Sequence, residues 1–149
     1  MSLLQDKFDR AEGWTEDGIY FRDGRVILLS PTKTGIFIGK PTTIEHLIDG
    51  FEDESWSYLN EYVRQETEDF VVTGGGTSWE ADGWVALQNK VDRKLIWFLI
   101  LSGCEPVKSL VFVGDTVEAE SKEYPFSWHW QIPIWKPERL RLDGPKKIN

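Results

Sequence analysis

The sequence predicts an α+β domain in which an antiparallel sheet carries two helices packed on one of its faces. Short runs of β-forming residues separated by turn signals occupy both ends of the chain, which predicts an N-terminal hairpin and a C-terminal meander. Two segments between residues 42 and 66 show helical features. No regular alternation of strands and helices indicates a parallel sheet. With 149 residues, we expect residues 1–149 to form a single α+β domain.

The N-terminal strands are predicted around a tight turn. Asp23-Gly24 is a strong hairpin signal, and apolar β-formers on either side predict strands over residues 18–22 and 25–30. A short third strand is expected at residues 35–39, which read GIFIG.

The first helix is predicted over residues 42–50. Thr42 and Glu45 have the spacing of a capping box, in which the two side chains satisfy free N–H groups of the first turn. Gly50 stands where a glycine commonly ends a helix.

The second helix is predicted over residues 55–66. Trp56, Leu59 and Val63 recur at intervals of three and four, which is typical of one helix face. The three glycines that follow at 74–76 are interpreted as a flexible connection to the meander.

The C-terminal meander is predicted from alternating and continuous apolar runs. The run at residues 95–101, LIWFLIL, is expected to be a central strand covered on both faces. Pro133 cannot donate to a ladder, so the strand at residues 126–134 is expected to lie at an edge or to end there. As an edge strand it would offer pairing to a second copy. The remaining strands are predicted at residues 84–88, 109–113 and 116–120, with a last short one within 137–142.

Composition excludes several functional classes. The net charge is −8 and the pI about 4.8, which argues against a nucleic-acid partner because phosphate binding needs a surplus of Lys and Arg. No apolar run approaches the roughly 20 residues of a membrane span. One cysteine cannot form an internal disulfide, and the N-terminus lacks the pattern of a signal peptide, so a cytoplasmic location is expected.

The acidic surplus is concentrated in one window. Residues 45–69 contain nine acidic side chains and one arginine, which gives this window the net charge of the whole chain. Such a field favours a basic partner. We therefore expect a non-catalytic protein-binding domain, for example an immunity or inhibitor protein against a basic bacterial toxin. Its predicted acidic face comprises Glu52, Asp53, Glu54, Tyr58, Glu61, Tyr62, Glu66 and Glu68.

A small-molecule or carbohydrate-binding module is the alternative prediction. Eight tryptophans are present, and an exposed one can stack on a sugar. Most are expected in the core, whereas Trp79, Trp135 and the neighbouring candidate His129 would form the ligand site.

No motif indicates a reaction, a metal or a cofactor. HExxH, CxxC, P-loop and GxSxG patterns are all absent from the sequence, so we expect no cofactor and assign no catalytic residue. A small enzyme remains a third hypothesis. It requires Glu80, Asp82, Cys104 and His129 to converge on one cleft.

Overall fold

The computed structural model describes residues 2–32, 35–50, 55–78 and 82–148. Within these ranges, two short helices and one 3-10 turn accompany twelve strands. The helices are α1 (Leu3–Asp9) and α2 (Ile44–Asp49), and the 3-10 turn is Pro137–Arg139. The strands are β1 (Glu12–Trp14), β2 (Gly18–Phe21), β3 (Arg25–Thr32), β4 (Gly35–Thr43), β5 (Trp56–Glu66), β6 (Phe70–Thr77), β7 (Gly83–Asn89), β8 (Leu95–Leu101), β9 (Val107–Val113), β10 (Thr116–Glu123), β11 (Phe126–Pro133) and β12 (Arg141–Lys147).

The strands form two antiparallel sheets. The large sheet has eight strands in the order β1-β5-β6-β7-β8-β2-β3-β4, and the small sheet has the order β12-β11-β10-β9. The small sheet packs against one face of the large one, with β9 lying over β5 and β6 and β12 near β4. Both helices pack on the opposite face of the large sheet.

Two apolar cores follow from this layering. Alternate side chains of β8 point to opposite faces, as strand geometry requires. Trp97, Leu99 and Leu101 enter the core between the sheets, whereas Phe98 and Ile100 enter the core beneath the helices. All five are 3% exposed or less. The large sheet is therefore buried on both faces at β8, as the continuous apolar run predicts.

The α+β prediction of two helices on one antiparallel sheet is wrong. The structure is mostly β, with a second sheet that the sequence reading did not separate from the first. The segment predicted as the second helix is β5, the longest strand. The first predicted helix is confirmed as α2, but Thr43 rather than Thr42 caps it, accepting a hydrogen bond from the His46 N–H at 3.2 Å.

The apolar residues of β5 have helix-like spacing but pack into two cores on opposite faces of the sheet. Glu61 pairs with Gly75 and Val63 pairs with Gly74, which leaves Tyr62 as an extra residue. In a regular strand, Leu59 and Val63 would share a face. The bulge reverses the alternation, so that Leu59 contacts the core beneath the helices and Val63 the core between the sheets.

The triple glycine is part of β6, in the middle of the sheet, and does not form a flexible connection. A Cβ on Gly74 would lie 2.9 Å from Val107 Cγ1, and one on Gly76 would lie 2.9 Å from Pro106 Cγ. These glycines let the start of β9 approach the large sheet closely. A Cβ on Gly75 would lie 1.8 Å from the Asn60 carbonyl oxygen, at the bulge.

Two other strand predictions are confirmed in full or in part. The N-terminal hairpin is confirmed as β2 and β3, with Gly24 at φ +97° in the turn. The strand at 126–134 is confirmed as β11, and it ends at Pro133, as one of the two alternatives predicted. The other alternative, an edge position, is wrong because β10 and β12 pair with β11 on either side. It therefore offers no edge to a second copy.

Candidate functional site

The outer edge of β5 is incompletely covered. The short β1 pairs with β5 only at Trp56, Ser57 and Tyr58, and the Leu59 N–H then donates to the Ala11 carbonyl. From Asn60 to Glu66, no strand pairs with this edge within the described ranges. An uncovered edge presents main-chain donors and acceptors to a further strand.

Two exposed tyrosines lie on β5, Tyr62 within the uncovered stretch and Tyr58 just before it, where β1 still pairs. Tyr58 is 67% exposed and Tyr62 is 58% exposed. Tyr62 is the bulge residue, which is consistent with its outward position, since bulges redirect side chains. Exposed tyrosines supply large contact areas at low entropic cost and are enriched in protein interfaces.

The carboxylates of β5 are partly compensated by cations. Glu61 accepts two hydrogen bonds from Arg64, with its Oε1 3.0 Å from Arg64 Nη2. Glu66 lies within 4.0 Å of Arg64, Lys90 and Arg93. Lys90 and Arg93 follow β7 and lie outside the acidic window at residues 45–69. The acidic field at this end of β5 is therefore weaker than the net charge of that window suggests.

The structure brings five of the eight predicted acidic-face residues together. Tyr58, Glu61, Tyr62 and Glu66 lie in β5, and Glu68 lies exposed in the turn to β6. They share a strand and its following turn, where the sequence predicted a helix. Glu52, Asp53 and Glu54 lie outside the described residues.

A cleft of about 230 Å³ borders the same strand on its helix side. Its lining includes the rings of Phe8 and Trp84 and the side chain of Leu59, together with Asp9, Ala11, Glu61, Arg64, Thr73 and Gln88. Thr73 is 2% exposed, and its hydroxyl has no hydrogen-bond partner in the described part of the chain. Thr73 could not be singled out from the sequence, because a threonine next to three glycines carries no recognisable signal.

The candidate ligand-binding residues do not converge. Trp135 is 65% exposed and lines a cleft of about 320 Å³ together with Arg22, Arg25 and Asn89. His129 lies on the outer face of the small sheet, where its Nε2 is 2.9 Å from Glu118 Oε1. This hydrogen bond lowers the pKa of Glu118. Trp79 lies outside the described residues.

Among the described residues of the enzyme hypothesis, His129 lies apart from Cys104 and Asp82. Cys104 is 3% exposed in the core between the sheets, and His129 lies on the outer face of the small sheet. Burial, with smaller effects of the Asp17, Glu105 and Asp82 charges, raises the pKa of Cys104 to about 12, so the group is a thiol near neutral pH. Glu80 lies outside the described residues.

Asp82 and Asp17 are two neighbouring carboxyl groups whose pKa values are both raised by burial. Burial raises the pKa of Asp82, and the nearby Asp17 charge raises it further. A hydrogen bond that Thr77 donates to Asp82 at 3.1 Å lowers this pKa but does not cancel the increase. Burial also raises the pKa of Asp17, which accepts hydrogen bonds from the N–H and hydroxyl of Ser102.

Neither a metal-binding cluster nor a membrane-spanning helix is found within the described ranges. No group of three or more His, Cys, Asp or Glu side chains there is placed to hold a metal ion. No helix there has the length and apolar character needed to cross a bilayer.

Comparison with protein-family models, curated proteins and solved structures finds no match for the chain. The geometry of the chain itself is therefore the basis for proposing its function.

Proposed function

We propose that this chain is a non-catalytic protein-binding domain whose uncovered β5 edge binds a strand of a basic protein partner. The observation that carries the proposal is the mismatch in length between β1 and β5. β1 covers three residues of β5, and the stretch from Asn60 to Glu66 has no strand partner within the described residues. Added strands bind such edges through main-chain hydrogen bonds, while their side chains give specificity.

The charges around the edge favour a basic partner over a second copy of this chain. Glu61, Glu66, Glu68 and Asp69 lie in or next to β5, and they outnumber the neighbouring cations Arg64, Lys90 and Arg93 by one. Charged residues on an edge strand oppose pairing between identical edges. The net charge of −8 also favours a basic protein and disfavours nucleic acid.

The more specific form of the proposal is an immunity or inhibitor protein that blocks a basic bacterial toxin in the cytoplasm. A tight inhibitor needs fast association and a rigid interface, which an acidic field and a pre-formed strand edge would both supply. The chain has one cysteine, which is buried, so the interface does not depend on an oxidising compartment.

Capture from host lysate at low and high salt tests the electrostatic part of the proposal. The bait is the wild-type chain, compared with the triple variant Glu61→Gln/Glu66→Gln/Glu68→Gln. The control is Asp115→Asn/Glu123→Gln/Asp143→Asn, which removes the same charge from exposed residues of the small sheet. We expect a basic protein that is retained by the control and lost with the triple variant or with salt. Equal capture by both variants would contradict the proposal.

A second pair of variants tests strand addition separately from charge. The Thr67 N–H donates to the Phe70 carbonyl, and because pairing alternates in an antiparallel ladder, the main-chain groups of Glu66 point away from β6. Glu66→Gln removes the charge alone, whereas Glu66→Pro also removes the outward N–H. We expect Glu66→Pro to weaken binding well beyond Glu66→Gln at equal thermal stability.

Ligand binding at Trp135 is the second candidate function. The exposed indole packs edge-on against Phe70, with ring centres 5.6 Å apart, and borders the 320 Å³ cleft with two arginines. An aromatic ring beside guanidinium groups suits a sugar or a planar anion. Titration with glycans and small anions should change the fluorescence of the wild type but not of Trp135→Phe. No change across a broad set would count against this candidate.

A further inference from the structure

The cleft between α1 and β5 lies beside the proposed strand-binding edge. Leu59, Glu61 and Arg64 line the cleft and belong to β5 itself. Alternate side chains of a strand added to this edge would point toward the helix face of the sheet. One of them would therefore reach the mouth of the cleft.

The lining of the cleft offers hydrogen-bond acceptors to a ligand, whereas the Gln88 Nε2 donor already binds the Arg93 carbonyl at 2.9 Å. The Thr73 hydroxyl lacks a partner in the described part of the chain, and the Asp9 and Glu61 carboxylates belong to exposed residues of the lining. Arg64, the one cation among the lining residues, is already held by both oxygens of Glu61. Asp9 thus leaves the lining with an excess negative charge, and a donor-rich cation would complement it.

The shape and walls of the cleft suit an aliphatic stem with a planar head. Phe8, Leu59 and Trp84 provide apolar surface, and the rings of Phe8 and Trp84 meet edge-on at a centre distance of 6.3 Å. A volume of about 230 Å³ holds about eight water-sized groups, at about 30 Å³ each. An arginine side chain has seven heavy atoms beyond Cα, and its guanidinium both donates hydrogen bonds and stacks on aromatic rings.

We propose that this cleft binds the guanidinium of an arginine side chain carried by the partner strand, with Thr73 accepting one of its hydrogen bonds. The identity of the source rests on the proposed function, whereas the chemistry of the cleft does not. The arginine would anchor the added strand in register, because its head reaches Thr73 only when the strand lies alongside β5.

The cleft chemistry is tested without the partner. The backbone amide spectrum of the ¹⁵N-labelled chain is recorded while N-butylguanidinium chloride is added, and N-butylurea serves as the neutral probe of similar shape. We expect saturable shifts at Leu59, Thr73, Gln88 and the Trp84 indole, with at least tenfold weaker binding of the urea. Equal binding of the two probes, or no saturable shift with the guanidinium, would overturn the proposal.

Thr73→Val is the diagnostic variant because it keeps the shape and removes a buried hydroxyl that has no partner. Its thermal stability should equal or exceed that of the wild type, so a loss of probe binding is not a folding defect. We expect at least fivefold weaker binding of N-butylguanidinium, and no change in the control Thr116→Val on β10.

The two proposals fail in different ways. A partner that requires the β5 edge, as shown by Glu66→Pro, but binds Thr73→Val as tightly as the wild type would overturn the arginine anchor alone. If the guanidinium probe binds the wild type and not Thr73→Val, while no protein is captured through β5, the cleft chemistry stands and the proposed function fails.

Discussion

A methyl group on Gly75 is expected to destabilise the large sheet strongly. The added Cβ would lie 1.8 Å from the Asn60 carbonyl oxygen and 3.0 Å from the Tyr62 nitrogen. Both atoms belong to the backbone of β5, so no side-chain rotation relieves the contact. Since Cβ atoms do not approach closer than about 3.0 Å, β5 and β6 must separate by more than about 1 Å at the bulge.

The magnitude follows from that displacement. Overpacking in a core typically costs about 1–3 kcal/mol, and here the obstruction is rigid backbone within a ladder, so we expect about 3 kcal/mol or more for Gly75→Ala. For a chain of 149 residues, each kcal/mol lowers the melting temperature by about 2–4 °C. The expected loss is therefore about 6–12 °C.

Urea unfolding followed by circular dichroism, together with a thermal scan, measures the effect. Gly50→Ala is the matched control, because Gly50 has φ −83° and its Cβ would meet nothing closer than 3.6 Å. That control should be neutral or more stable by up to about 1 kcal/mol. A Gly75→Ala variant within about 0.5 kcal/mol of the wild type would refute the close approach of β5 and β6.

Three further predictions concern buried groups. Cys104 should resist iodoacetamide in the native protein at pH 8 and react only after denaturation, because a pKa of about 12 leaves about one thiolate in ten thousand. Alkylation of the native protein as fast as of the denatured protein would contradict the burial of Cys104. Because the pKa of Asp82 is raised, its contribution to stability is present below the unfolded pKa and lost as pH rises through the folded one. Melting scans should therefore show a larger stability gain for Asp82→Asn at pH 7 than at pH 3.5, with the Thr77 hydrogen bond still able to form. Trp130→Phe should cost about 2–3 kcal/mol in urea unfolding, because it leaves the Ser121 hydroxyl unpaired, and adding Ser121→Ala should recover part of that loss.

The parts of the fold that could be predicted are those indicated by a strong local signal in the sequence. The hairpin around Asp23-Gly24 follows from local turn chemistry, and the central position of β8 follows from its unbroken apolar run. α2 follows from its capping residues, within one position. Each of these elements is specified by neighbours in the sequence.

The failures share a physical cause, which is that tertiary contacts change the local pattern. The Tyr62 bulge reverses the alternation of β5, so that Leu59 and Val63 pack into different cores although their spacing is typical of one helix face. Gly74 and Gly76 lie in a strand because β9 packs onto them, and no side chain records that contact in the sequence. A local sequence pattern therefore predicts the wrong secondary structure where a contact with a residue far along the chain determines it.

The candidate site was predictable in composition but not in arrangement. Acidic residues and two tyrosines were visible as a cluster, and their position on a strand edge was not. The cations near Glu66 come from Lys90 and Arg93, more than twenty positions later. The cleft next to β5 requires α1, β5, β6 and β7 to meet, which no local pattern reports.

The pairing of β2 with β8 has a consequence for how the chain is made. Ile19 lies opposite Leu99, eighty positions later, and both are fully buried in the finished protein. At about 5–20 residues per second, the ribosome needs about 4–16 s to supply that partner after β2 has been synthesised. During this interval the N-terminal hairpin has an unfilled apolar edge. Association between neighbouring nascent chains is therefore most favoured before Leu99 is added, and chaperone protection of this protein would be needed at that stage of synthesis.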